Sequence, residues 1–191
     1  MTEIDISNEW WSQLRQNGMI ISTTVLNEIL PDGPLEIDER SYEKLRDEYT
    51  AFLSWYDKRA SNDNTGYYRW IDAIFDIFLK YTSNWWQKGP EVTDNFKAQT
   101  LTRKYLRADR VLLNVGLISE PRFILKIDKE NKRVGRGRGK LEYSELLELL
   151  RKSNVQVGII TNGHQIRLVY AGLDHDCWVE WEVERWFEDE E

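Results

Sequence analysis

At 191 residues the chain has room for one domain with a sizeable core, or for a core with a helical extension. A net charge of -7, with 31% charged residues, argues against a nucleic-acid surface spread over the whole molecule but leaves room for a local basic patch. One cysteine, Cys177, excludes an intrachain disulfide and a thiolate metal cluster, and the two histidines, His164 and His175, are too few for a zinc site.

Nine tryptophans suit cores and interfaces equally, because each brings a large apolar ring and one N–H. Residues 1–30 read as helical with a break. Asn8 can cap a helix carrying Trp10, Trp11 and Leu14 that ends at Asn17-Gly18. A short amphipathic turn, VLNEIL, follows Thr24, and Pro31-Asp32-Gly33-Pro34 is a loop. From Asp38 to Asp57 apolar residues recur at threes and fours (Tyr42, Leu45, Tyr49, Phe52, Leu53, Tyr56), which predicts a long helix. A polar loop over 58–66 precedes a second such helix with Trp70, Ile71, Ile74, Phe75, Phe78 and Leu79. Trp85-Trp86 then forms either a lid over the helical core or an exposed aromatic platform.

Residues 91–106 are ambiguous, and the composition turns to β at Val111–Val115 and Phe123–Ile127, joined by a hairpin-like turn at Leu117–Pro121. Residues 128–140 make a polar basic loop with Gly135, Gly137 and Gly139. The stretch from Gly139 to Tyr170 has the strongest local pattern. Leu141, Leu146, Leu149 and Leu150 stripe a helix that Ser153-Asn154 stops. Val155, Val157, Ile159 and Ile160 are apolar on both faces, as in a strand inside a sheet. Asn162-Gly163 signals a hairpin whose two turn positions both tolerate a positive φ, with His164 solvated beside it. The return strand alternates Ile166, Leu168 and Tyr170 with Arg167 and Val169, which predicts one wetter face. Trp178–Val183 reads as an edge-like strand, Trp186 and Phe187 pack back, and EDEE is a solvated tail or a cut into a linker. The expected class is α+β (mixed α/β), with a helical region over 1–104 and a β-β-α-β-β core over 105–191. No run approaches a membrane span and no signal pattern opens the chain, so a cytoplasmic location is expected.

The segments RADRVLLN, FILKID, YSELLELLRKSNVQVGIITNGHQIRLVYAG and WVEWEVERWF resemble the N-terminal PD-(D/E)XK nuclease-like region of type IIG restriction endonuclease–methyltransferases and of related methyltransferases in DISARM- and BREX-type phage defence. The resemblance covers roughly residues 105–188. It implies a restriction-endonuclease-like core and, if the site is intact, Mg²⁺-dependent DNA cleavage. That chemistry needs an Asp at one strand end and an acid-x-Lys on the next. The acids hold Mg²⁺, which activates a water, and the Lys steadies the developing charge. Asp109 fits the first position, although Ala108 stands where the family has Pro. Asp128 is followed two residues on by Glu130 and not Lys. The shifted register gives Glu130-Asn131-Lys132, and Lys126 precedes the acid. Glu142 and Glu145 could add a carboxylate. The candidate catalytic set is therefore Asp109, Asp128, Glu130, Lys132 and Glu142, with Asp109 and Asp128 as metal ligands.

The loop cations Arg133, Arg136, Arg138 and Lys140 could reach DNA phosphates, or the loop could simply be exposed and supple. It lacks the Gly-Lys-Ser/Thr ending of a P-loop. The prolines, Pro31, Pro34, Pro90 and Pro121, allow no Asn-Pro-Pro-aromatic motif, so any methyltransferase must be a further domain or a separate defence-system subunit. Three expectations follow. The first is a degenerate nuclease-like module that contacts DNA or assembles a restriction–modification or defence system. The second is an active Mg²⁺-dependent endonuclease. The third is an acidic protein–protein interaction domain without nucleic-acid binding.

Overall fold

The computed structural model describes residues 14–31, 36–60, 62–81, 85–99, 105–113, 121–129, 133–135 and 139–188, with 99, 139 and 140 described by backbone alone. The fold is mixed α+β. Helix α1 (Thr23–Ile29) is capped by Ser22, whose Oγ accepts from the Val25 amide at 3.3 Å. Helix α2 (Glu39–Lys58) starts at Asp38, whose carboxylate accepts from the Ser41 amide at 2.9 Å. That bond satisfies one of the orphan donors of the first turn, and Glu39 and Lys58 sit at the helix ends where their charges suit the macrodipole. Leu45, Tyr49 and Phe52 bury its inner face. Asp63 ties α2 to the next helix, accepting from Trp55 Nε1 at 2.7 Å and from the Thr65 amide at 2.9 Å. Helix α3 (Thr65–Ala73) widens into a π-helical turn at Ile74–Phe78.

Nine strands follow the chain among the described residues: β1 (Arg15–Asn17), β2 (Trp86–Lys88), β3 (Lys97–Gln99), β4 (Tyr105–Arg107), β5 (Arg110–Leu113), β6 (Pro121–Ile127), β7 (Val157–Thr161), β8 (Gln165–Ala171) and β9 (Asp176–Glu182). Strands β3 and β4 pair with each other. The other seven form one sheet in the order β1-β9-β8-β7-β6-β5-β2. Every neighbouring pair is antiparallel except β6/β7. A parallel pair needs a crossover, and helix α4 (Gly139–Ser153) supplies it. Asn154, at φ +56°, ends that helix.

The sheet separates two cores. Leu146, Leu149 and Leu150 of α4 pack with Phe96, Ala98 and Leu106 on one face. On the other, Tyr49, Phe52, Tyr67 and Trp70 of α2 and α3 pack on Leu125, Ile127 and Ile159. Trp86 belongs to this second core: it is buried, with its ring 4.5 Å from Phe75, so it lids the helices. The sheet crosses residue 104, since β1 and β2 both belong to it.

Several local expectations change. Arg15–Asn17 is not the end of a helix but a strand, held by pairing with Trp178–Glu180; residues 1–13 lie outside the described residues. At the β7–β8 hairpin only Gly163 takes a positive φ, +85°. Asn162 instead bends the turn with its side chain, whose Oδ1 accepts from the amides of His164 (3.1 Å) and Gln165 (2.8 Å). A Cβ on Gly163 would meet the Phe52 ring at 2.2 Å, so the turn is tucked under α2. His164 is accordingly not solvated but packs edge-on to Tyr56 at 4.7 Å. Strand β9 is not an edge, because β1 covers it. The face of β8 that carries Arg167 is not wetter: Arg167 is buried opposite its cross-strand partner Glu180. The proposed turn at residues 117–120 lies outside the described residues.

Candidate functional site

The antiparallel β5/β6 register sets Asp109, just before β5, against the end of β6. Its amide donates to the Leu125 carbonyl at 2.9 Å. Its carboxylate is committed on both oxygens. Oδ2 accepts from the Ile127 amide at 2.9 Å, and Oδ1 accepts from the Tyr68 hydroxyl at 3.0 Å with Lys129 Nζ 3.5 Å away. Lys129 also donates to the Tyr68 oxygen at 2.9 Å. Burial works against the Lys129 ammonium, but Asp109 and the Tyr68 hydroxyl outweigh it and hold its pKa above the usual lysine value. The network continues through Arg110, whose guanidinium lies 4.5 Å from the Tyr68 ring centroid and bonds Asp72 at 3.1 Å; Lys88 bonds the same carboxylate at 3.0 Å.

A hard cation such as Mg²⁺ takes oxygen ligands with open lone pairs. Asp109 offers its oxygens to an N–H, an O–H and an ammonium, which occupy three of the roughly four lone-pair sites of a carboxylate, so a metal there would have to displace Tyr68 and Lys129. Among the described residues no group of three or more His, Cys, Asp or Glu could hold a metal ion.

Asp128 stands between Ile127 and Lys129, the two residues that bond Asp109. Asp128 is fully buried, and its amide extends the β6/β7 ladder by donating to the Thr161 carbonyl at 2.8 Å. It lies near Tyr67, whose phenol is pushed up to about 12, by burial first and in smaller part by the Asp128 charge. Glu142 stands on the first turn of α4, on the other side of the sheet from α3. There Lys126 Nζ lies 3.8 Å from Glu142 and 3.7 Å from Glu145. The structure thus joins Lys126 to Glu142 on the α4 side and Asp109 to Lys129 on the α3 side. Glu130 and Lys132 lie outside the described residues.

Of the basic loop, Arg133–Gly135 is described, Lys140 is placed by its backbone in α4, and Arg136 and Arg138 lie outside the described residues. Arg133 lines a cavity of about 330 Å³ with Arg15, Gln165, Arg167, Trp178 and Glu180. Arg167 donates to Glu180 from Nε at 2.9 Å and from Nη2 at 2.6 Å, and its guanidinium lies 3.9 Å from the Trp178 ring centroid. Sequence reasoning missed Tyr68, Lys129 and the Arg167–Glu180 pair. The pair had a signal: an Arg inside an apolar strand, with a Glu at the matching position of the next.

A second, apolar cavity of about 460 Å³ lies between α2, the π turn and the sheet, with Tyr42, Phe78, Leu168, Trp181 and Trp186 among its walls. Phe78 and Leu79 are 40% and 43% exposed there. Among the described residues no helix is long and apolar enough to cross a membrane. No protein-family model matches the chain, and neither a curated protein nor a solved structure does.

Proposed function

We propose that the chain is a nuclease-like module without catalysis, which contacts DNA or assembles a restriction–modification or phage-defence system in the cytoplasm. The observation that carries this reading is the commitment of Asp109. The carboxylate that cleavage would need for Mg²⁺ already accepts from Ile127, Tyr68 and Lys129. The order β5-β6-α4-β7-β8 supports it as well, since it is the β-β-α-β-β order that the resemblance implies. In this reading Asp109 has become structural. DNA contact falls to Arg133, Arg136, Arg138 and Lys140, and methylation to another domain or subunit.

The test is plasmid cleavage in Mg²⁺ or Mn²⁺, wild type beside Asp109→Ala, with duplex binding measured over a range of salt. No cleavage, with binding that weakens as salt rises and when Arg136 and Arg138 become Ala, is the expected result. Cleavage abolished by Asp109→Ala would establish the Mg²⁺-dependent endonuclease instead. A protein-binding role without nucleic acid is favoured by one observation, the exposure of Phe78 and Leu79 at the apolar cavity. DNA binding that is absent at every salt concentration would select it.

A further inference from the structure

The segment Arg133–Gly135 would be free to move on its own sequence, yet the structure holds it from two sides. The Val134 amide donates to Gln165 Oε1 at 3.0 Å, and the Val134 carbonyl accepts from Arg167 Nη2 at 2.9 Å. Val134 is 1% exposed and packs into the α4-side core. Gly135 takes φ +68°, and a Cβ there would lie 2.1 Å from Arg167 Nη1. Only glycine lets the backbone pass this close to the guanidinium. The guanidinium is itself immobilised, by Glu180 directly across the strand pair and by the Trp178 ring. One buried arginine therefore bridges β8, β9 and the basic segment. Its planar fork can serve Glu180 and the Val134 carbonyl together, which a lysine ammonium cannot do with the same geometry.

We propose that Arg167 is a positioning residue that clamps Arg133–Gly135 onto the sheet and so fixes Arg133 at the mouth of this cavity, where it meets a nucleic-acid phosphate. This rests on the DNA-contacting reading above. Arg15, from the edge strand two places from β8, lines the same opening but is already paired with Glu182 at 2.8 Å, so the cation that the clamp and the Gln165 bond present there is Arg133. The clamp acts through the register of the segment, and Arg167 itself touches no phosphate.

Three measurements on the full chain decide it. In wild type, amide exchange at Val134 is expected to be as slow as in the strands β7 and β8; exchange as fast as an exposed loop overturns the clamp. In Arg167→Lys, trypsin cleavage after Arg133 is expected to quicken about tenfold, the loss of one charge-assisted hydrogen bond. The slope of DNA affinity against salt should fall by about one. Gly135→Ala, which keeps both charges of the Arg167–Glu180 pair but drives the segment and the guanidinium apart, should do the same, so the outcome holds even where Arg167→Lys fails to fold. Arg69→Ala, at a distant surface ion pair, should change neither. Unchanged cleavage and slope in a folded variant overturn the proposal. If wild type binds no DNA while Val134 is protected and cleavage responds, the clamp stands and the DNA reading falls.

Discussion

Two of the charged networks among the described residues, around Asp109 and around Arg167, are built on different terms. Around Asp109 the outer groups are partly open to water: side chains of Lys88, Lys129 and Asp72 keep 30%, 30% and 26% of their surface exposed, around the more buried Asp109 (13%) and Arg110 (7%). Around Arg167 they do not: the Arg167 and Glu180 side chains keep 6% and 3%. Water can take over part of a bond lost at Lys88, Lys129 or Asp72. It cannot do so in the second, where one removed partner strands the other's charge in the core. The first network is redundant, with several cations around two carboxylates, while in the second Glu180 is the one carboxylate bonded to the buried Arg167, with Arg15 at 3.8 Å on its outer side, and a third element hangs on that pair.

The largest expected effect is therefore in the second network. Glu180→Ala should cost about 3–5 kcal/mol, read from urea unfolding, because it leaves the Arg167 guanidinium buried and unpaired. Replacing both partners, Arg167→Met with Glu180→Leu, should recover most of that stability while releasing Arg133–Gly135, which separates the clamp from the core. In the first network Tyr68→Phe should cost only about 1 kcal/mol in the same measurement, since Asp109 keeps the Ile127 amide and Lys129. A loss as large as that of Glu180→Ala would erase the distinction between the networks.

His164 gives a smaller effect that is read against pH. Burial between Tyr56 and Phe52 holds its pKa below the ordinary 6.5, with Glu184 and Asp57 pulling it up and Arg59 down. The unfolded chain then takes the proton first. Stability is complete above 6.5 and declines as pH falls through that value towards the lower folded one. The melting temperature of wild type should drop over this window more than that of His164→Phe, which keeps the ring contacts and cannot titrate. Equal slopes would place His164 in water. At the bottom of the scale, Arg69→Ala should leave the unfolding midpoint where it is, because the Arg69–Glu48 pair is solvated and water replaces it.

What the sequence made legible follows from where the stabilising interactions lie. Helices α2 and α4 have a full apolar stripe and local stop signals, so pattern alone places them. The β7–β8 hairpin is legible too, because Gly163 meets a local need. Strand β1 is not: Arg-Gln-Asn has no β pattern, and only its pairing with β9 makes it a strand. Arg167 misled for a related reason. Alternation assigns a charged residue to water, and the cross-strand Glu180 that overrides this lies thirteen residues on. At the candidate site, Asp109 was picked out through the resemblance, as the acid beside an expected strand. Its true partners, Tyr68 and Lys129, could not be, since neither spacing nor type ties a tyrosine on α3 to that carboxylate.

The two ends of the large sheet are each closed by a strand of only three residues, β1 beside β9 and β2 beside β5. An open sheet margin is a row of unpaired donors and acceptors, and a long one invites another chain to add itself. Here the long strands β8 and β9 are interior, and the margins are short and carry Arg15, Gln16, Gln87 and Lys88. Three residues that sequence pattern could not recognise as a strand thus cover the backbone of Trp178 to Glu180, and among the described residues they leave a margin that is short and polar where a long interior strand would otherwise lie open.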